Sequence, residues 1–216
     1  QDADTAVRVT AGKANIKAVA QAWGREGRFG RGDRSRVSRH VRLTIMKAAV
    51  LPTVLTFCKT RAWTRRQFDS VQRVAHYAVR RVLGLDSYNM QEHHLRDEAL
   101  YRAVGWDTVT DMVMKHTLVW VGHVARMPIT RAPKVALFGW VAGYRPRQHG
   151  VGMLQPRWMS DILEKVGISD MDWFRLAQNR RAWKRRVNSL FERAPAEAED
   201  IRKLNAWCPG DPLPAL

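Results

Sequence analysis

Apolar residues recur at three- and four-residue steps along most of this chain, and the longest such series lies in its middle. Val109, Met112, Val113, His116, Trp120 and Val124 share one face of a helix at this spacing. Asp107 or Thr108 can cap its first turn, and Pro128, which lacks an amide proton, ends it. Upstream, Val7, Ala11, Ala14, Ala18 and Ala22 predict an alanine-rich amphipathic helix over 4–23. A second helix starts at Ser35 or Ser38, with Val41, Ile45 and Ala49 as its expected buried stripe. Pro52 should kink or end it. The run VLPTVLTF around that proline is apolar and partly β-branched, so periodicity does not separate helix from strand there, and a kinked helix is the favoured reading.

Thr64 and Gln67 have the spacing of a capping box, in which a hydroxyl and a side-chain amide satisfy each other's backbone N–H groups at a helix start. Phe68, Val71, Ala75, Ala78, Val79 and Val82 follow as an apolar stripe, and Gly84 is the expected stop. Further helices are predicted over 89–103, after Pro133 (Val135, Phe138, Trp140), around Trp158, Ile162 and Val166, and from a cap at Ser169 or Asp170 through Trp173, Leu176, Ala177, Trp183 and Val187. The fold class expected is all-α, with about seven or eight helices joined by basic loops.

Charge changes the picture. The chain has 216 residues, and its 45% hydrophobic content suffices for an ordinary core, yet it carries a net charge of +17. A field of that sign attracts polyanions, chiefly nucleic acid or an anionic membrane face. No acidic residue occurs from Met112 through Ser160, nor between Asp172 and Glu192. Arg28, Arg31 and Arg34 sit in the glycine-rich stretch GREGRFGRGDRSR, which can follow a phosphate backbone or serve as a solvated connector. Arg65, Arg66, Arg73, Arg80 and Arg81 oppose the apolar stripe of the capped helix, against the single Asp69. Arg126, Arg131 and Lys134 follow the central one, and Arg145 and Arg147 stand near Tyr144, His149 and Trp158 in a basic loop. Arg175, Arg180, Arg181, Lys184, Arg185 and Arg186 surround the last apolar stripe. No uncharged apolar run reaches the roughly 18 residues of a membrane span, so no membrane partner is expected.

Visible catalytic chemistry is sparse. Asp97-Glu98 and Glu199-Asp200 are the only adjacent acid pairs, and neighbours on a helix diverge, so neither resembles a two-metal carboxylate site. His93 and His94 point about 100° apart on a helix and are poor joint ligands. Cys58 and Cys208 form no metal or disulfide pattern, and a reducing compartment is the plain inference. There is no phosphate-cradling glycine loop and no nucleophile motif. His123 is the best lone chemical candidate, against the commoner reading of a hydrogen-bonded core histidine. No cofactor or metal is expected.

The central stretch Gly122-His123-Val124-Ala125-Arg126-Met127, followed by Arg131 and Pro133-Lys134, resembles the post-polymerase region of LINE-type (non-LTR) retrotransposon reverse transcriptases. Other pieces fall in that family's order. Val50-Leu51-Pro52-Thr53 looks like the start of its thumb. Trp63-Thr64, Val71-Gln72-Arg73 and Arg80-Arg81-Val82-Leu83-Gly84 resemble its thumb helix. Arg145-Pro146-Arg147 with Trp158, and Leu176-Ala177-Gln178-Asn179-Arg180 with Trp183-Lys184, resemble its closing elements. The chain departs from the pattern at Phe57-Cys58 and Arg61, where the family has Tyr-Gly and an acid, and at Asn179, where it has aspartate.

The resemblance implies a thumb-like region over 1–84, a post-thumb helical domain over 85–190 and an acidic then proline-rich tail over 191–216. It implies that the polymerase carboxylates lie in a palm domain outside this sequence, so that this chain binds template–primer or element RNA without catalysing. The partners implied are RNA or an RNA/DNA hybrid, and the palm. The chain opens QDADTAV, which reads as a fragment or processed product. The alternative function is a retrotransposon-derived structural RNA-binding subunit of a ribonucleoprotein, for example an organellar one. A plain protein-interaction bundle would lack salt-sensitive nucleic-acid binding altogether.

Overall fold

The computed structural model describes residues 3–22, 37–56, 63–85, 97–138, 163–164, 167–168 and 172–192, with single positions 58, 91, 199, 201, 202 and 204. Among these the chain is all-α, with eight helices and no strand. They are α1 (Ala3–Ala22), α2 (Arg39–Val54), α3 (Arg65–Leu83), α4 (Asp97–Ala103), α5 (Val109–Ala125), α6 (Ala132–Phe138), α7 (Trp173–Gln178) and α8 (Arg180–Leu190). Trp158, Ile162 and Val166, around which a further helix is expected, lie outside the described residues, as do His93 and His94. Two compact units are formed, one from Gln1–Met112 with Arg193–Leu216 and one from Val113–Glu192. The division falls at Met112, not at the expected Gly84.

In the first unit α1, α2 and α3 pack pairwise against one another. Helix α3 follows its local signals. The Thr64 N–H donates to Gln67 Oε1 at 2.9 Å and the Gln67 N–H donates to Thr64 Oγ1 at 3.4 Å, completing the capping box. Trp63 stacks on Phe68, with ring centroids 5.2 Å apart, as the apolar staple that often accompanies such a box. At the other end Gly84 takes φ 71°, the left-handed conformation that turns the chain so that the Leu85 N–H reaches the Arg80 carbonyl at 3.0 Å. Val71, Ala75, Ala78, Val79 and Val82 are buried as the spacing predicts.

Helices α1 and α2 bury different faces from those expected. On α1, Val7 is 67% exposed, Ala14 and Ala18 are exposed, and Thr5, Gly12 and Ile16 face inward. A Cβ at Gly12 would stand 2.5 Å from Val54 Cγ1 and 3.0 Å from Val74 Cγ1, so the missing side chain is what admits both neighbouring helices. On α2, Val41 and Ile45 are exposed, while Leu43, Met46, Val50 and Val54 form the buried stripe. That series is longer and bulkier than the Val41-Ile45-Ala49 one, so its burial removes more apolar surface from water. Ser38 caps α2 through the Val41 N–H, and the helix passes Pro52 to end at Val54. Asn15 of α1 donates to Thr53 Oγ1 of α2 at 2.8 Å, a polar tie within the bundle.

A hydrogen-bonded chain holds residues 97–112 to α3, which is why the unit extends past Gly84. The Val109 N–H, at the start of α5, donates to Gln72 Oε1 at 2.8 Å. This orients the Gln72 amide nitrogen toward His76 Nε2, also at 2.8 Å. His76 Nδ1 in turn donates to Asp97 Oδ2 of α4 at 3.0 Å. That bond, helped by charge interactions with His76 and then Arg80, holds the Asp97 carboxyl below its ordinary value despite the opposing effect of burial. A folded-state value below the unfolded one contributes stability that is present above the unfolded carboxylate value of 3.8 and is lost as pH falls through the folded value. The variant Asp97→Asn should therefore be less stable than the parent at pH 6 and should converge on it toward pH 2, read from urea midpoints. A gap that persists undiminished to pH 2 would show that the carboxylate charge is not what matters.

The second unit is built around Leu118, Val121, Ala125, Leu163, Ile168, Trp173, Ala177, Trp183 and Val187. Thr108 caps α5, accepting from the Asp111 N–H at 3.1 Å, and the helix ends at Ala125, three residues ahead of Pro128. Along α5 the predicted Val109, Met112, Val113 and Val124 are buried, but His116 is exposed and Thr117, Leu118 and Val121 take the inner positions. Near the C-terminal end, Leu204 is fully buried.

Candidate nucleic-acid interface

The capping box and apolar stripe of α3 determine what its other side can present. Arg65, Arg66 and Arg73 are exposed, and none of them makes an ion pair among the described residues. Arg66 and Arg73 are seven residues apart, two helical turns, so they stand on one stripe about 10 Å from end to end. Arg73 is steadied by Ser70, whose Oγ accepts from its Nη2 at 3.2 Å. Arg80 differs. It is half-buried, and its charge acts on Asp97 of α4, so it belongs to the inner network of that unit and not to the exposed face.

Downstream of α5 the cationic residues divide in the same way. Arg131 is exposed. Lys134 is only 8% exposed, with its ammonium donating to the Ala125 carbonyl and lying 4.9 Å from the Phe174 ring centroid. That carbonyl, at the C-terminus of α5, also accepts from Gln178 Nε2 at 3.2 Å. A helix end concentrates negative partial charge and unsatisfied carbonyls, and a lysine answers both. Arg126 donates from Nη1 to the Ala177 carbonyl at 2.6 Å, at the end of α7. Burial, with the like charge of Arg180 nearby, pulls its guanidinium below its ordinary value. Arg126 and Lys134 are thus corrected from exposed phosphate contacts to internal helix-end partners. Arg28, Arg31, Arg34, Arg145 and Arg147 lie outside the described residues, together with Tyr144 and His149.

Two of the pieces that carry the family resemblance, residues 122–127 and 176–184, meet inside the second unit. Gly122 lies against the indole of Trp183, and a Cβ there would overlap the ring edge, 2.9 Å from Cε2 and closer still to Nε1 and Cδ1. The Trp183 N–H donates to the Leu118 carbonyl at 2.9 Å. The glycine, the arginine and the following alanine–glutamine and tryptophan pieces, more than 50 residues apart in the chain, therefore share one set of contacts. Asn179 caps α8, its Oδ1 accepting from the Arg181 and Ala182 N–H groups at 3.1 and 3.0 Å. Aspartate performs the same capping, so this departure from the family pattern leaves the local structure intact. Met127 is half-buried.

Known proteins add no identification. No protein-family model, curated protein or solved structure matches this chain.

His123 is exposed on the last turn of α5, not buried, and no acid is paired with it among the described residues. No group of three or more His, Cys, Asp or Glu side chains among the described residues could hold a metal ion. No described helix is long and apolar enough to cross a membrane. The cations that a count of arginines underrates are those of α8. Arg180, Arg181, Lys184, Arg185 and Arg186 are all exposed, while Trp183 and Val187 of the same helix are buried. The signal for this was present in the sequence as the acid-free run before Glu192.

Proposed function

We propose that this chain is a nucleic-acid-binding module, the thumb and post-thumb portion of a LINE-type reverse transcriptase, which grips template–primer or element RNA through phosphate contacts. The observation that carries the reading is the outer side of α3. Arg65, Arg66 and Arg73 stand exposed there, without acidic partners among the described residues, on a helix that is rigidly capped at both ends. Guanidinium groups on such a frame meet phosphate oxygens at fixed spacing and release the counterions condensed there. The convergence of separate family-like pieces in one core supports the retrotransposon assignment, since each piece alone is short.

Binding of the full chain to an RNA/DNA hybrid should weaken linearly in log affinity against log salt. Replacing Arg65, Arg66 and Arg73 together by alanine should reduce the slope by about 2 to 3, at roughly 0.7 to 0.9 for each phosphate no longer neutralised. An unchanged slope refutes the α3 contact face. A parent protein with no salt-sensitive binding to RNA, DNA or hybrid refutes the function as a whole.

A further inference from the structure

Helix α8 presents a second charged surface, in a different compact unit from α3. Its buried side is Trp183 and Val187, with Leu190 half-buried beside them. At 100° per residue, Arg181, Lys184, Arg185 and Asn188 fall on the opposite side at steps of three and four, a ridge about 10 Å long. Arg180 and Arg186 flank it. All six are exposed, and the five cations form no ion pair among the described residues. The nearest sequence acids are Asp172 and Glu192, and Asp172 lies 3.7 Å from Arg175, off this ridge.

Such a ridge repels itself. Neighbours three and four residues apart on a helix lie within reach of one another, so like charges at these positions oppose each other. Like charges gathered on one face, on a helix whose fold does not need them there, are relieved by a polyanion. The chemistry of the ridge also says which kind. Its helix carries one aromatic residue, Trp183, which is 2% exposed and held to Leu118, so α8 offers no ring on which an unpaired base can stack. Proteins that hold single strands combine charge with exposed aromatic platforms, whereas a helical ridge bearing charge alone addresses the regularly spaced phosphates of a duplex.

We infer that the Arg181–Lys184–Arg185 ridge of α8 is a second phosphate-contact surface, independent of α3, that engages the backbone of a double-stranded nucleic acid without reading its sequence. The inference rests on the nucleic-acid reading above and adds to it a place and a substrate form.

The test uses the full chain with a blunt hybrid of about 20 RNA/DNA base pairs, roughly two helical turns, and with the corresponding single strands. Arg181, Lys184 and Arg185 are exposed, so the triple alanine variant is expected to fold, checked by an unchanged helical circular dichroism signal. Its salt slope on the hybrid should fall by about 2 to 3, with a smaller change on the single strands. A second variant, Arg181→Lys with Arg185→Lys, should keep the parental slope, because a backbone contact of this kind needs charge more than the guanidinium fork. An unchanged slope in the alanine variant, alongside a reduced slope in the α3 variant, overturns this inference and leaves the proposed function standing. An equal reduction on single strands overturns the duplex assignment. If the parent shows no salt-sensitive binding at all, the nucleic-acid reading itself has failed.

Discussion

Replacing Trp183 by alanine should lower the unfolding free energy of the second unit by about 3–5 kcal/mol, the range for deleting a large buried aromatic side chain. The indole is 2% exposed and packs beside Trp173, with ring centroids 6.2 Å apart, in the same core as Leu118, Val121 and Ala177. Trp183→Phe separates the contributions. It retains much of the packing but removes the N–H that bonds the Leu118 carbonyl, a cost of about 1 kcal/mol for the hydrogen bond on top of the smaller ring. Gly122 provides the sharper test. Alanine is favoured over glycine inside a helix by about 1 kcal/mol, so Gly122→Ala on an open face would be stabilising. Here the new methyl overlaps the edge of the indole, and overpacking of that kind costs about 1–3 kcal/mol. The net should be destabilising by up to about 2 kcal/mol in the parent and should reverse sign in the Trp183→Ala background, where the ring is gone and only the helix preference remains. Urea unfolding of the four proteins of this cycle measures it. A stabilising Gly122→Ala in the parent would refute the close approach of glycine and indole.

The second large effect is expected at Gly12, where the same competition takes place in the first unit. A Cβ would meet Val54 Cγ1 at 2.5 Å and Val74 Cγ1 at 3.0 Å. Those valines are 0% and 1% exposed, and a β-branched side chain has few rotamers into which to retreat. Gly12→Ala should therefore be destabilising by about 1–2 kcal/mol in spite of its helix preference, and Gly12→Val by about 3 kcal/mol or more, since a β-branched side chain adds both bulk and a lower helix propensity. Val7→Ala, on the exposed side of the same helix, should stay within about 0.5 kcal/mol of the parent. Urea midpoints of the three variants decide which face of α1 is inside. A costly Val7→Ala with a harmless Gly12→Ala would restore the face that the alanine pattern suggested.

The ends and the buried stripe of helix α3 were legible because their signals are local. A threonine and a glutamine three apart, a strong apolar stripe and a closing glycine all act within one or two turns, and each takes its expected place. The buried sides of α1 and α2 were not legible. Helix α1 is rich in alanine and nearly uniform in polarity around its circumference, so the choice of face passes to fit. The notch at Gly12 has no apolar signal of its own, and only Val54 and Val74 give it meaning. On α2 two apolar stripes compete, and the partner helices select the one with Leu43, Met46 and Val50.

The candidate interface divides along the same line. The excess of positive charge, its acid-free runs and the cationic side of α3 follow directly from the order of residues, because charge type and helical phase need no partner to define them. Which cations remain available does not follow. Arg126 and Lys134 look in sequence like Arg131, yet they turn inward to helix-end carbonyls that come within reach only when α5, α6 and α7 have packed. Arg80 likewise acts on Asp97, an acid of another helix. Residue order alone thus specifies an all-helical, strongly cationic chain with α3 as a polar-faced helix. The inner faces of α1 and α2, the division at Met112 and the separation of exposed from internal arginines are fixed by packing, because each depends on groups distant in the chain being brought to within a few ångströms.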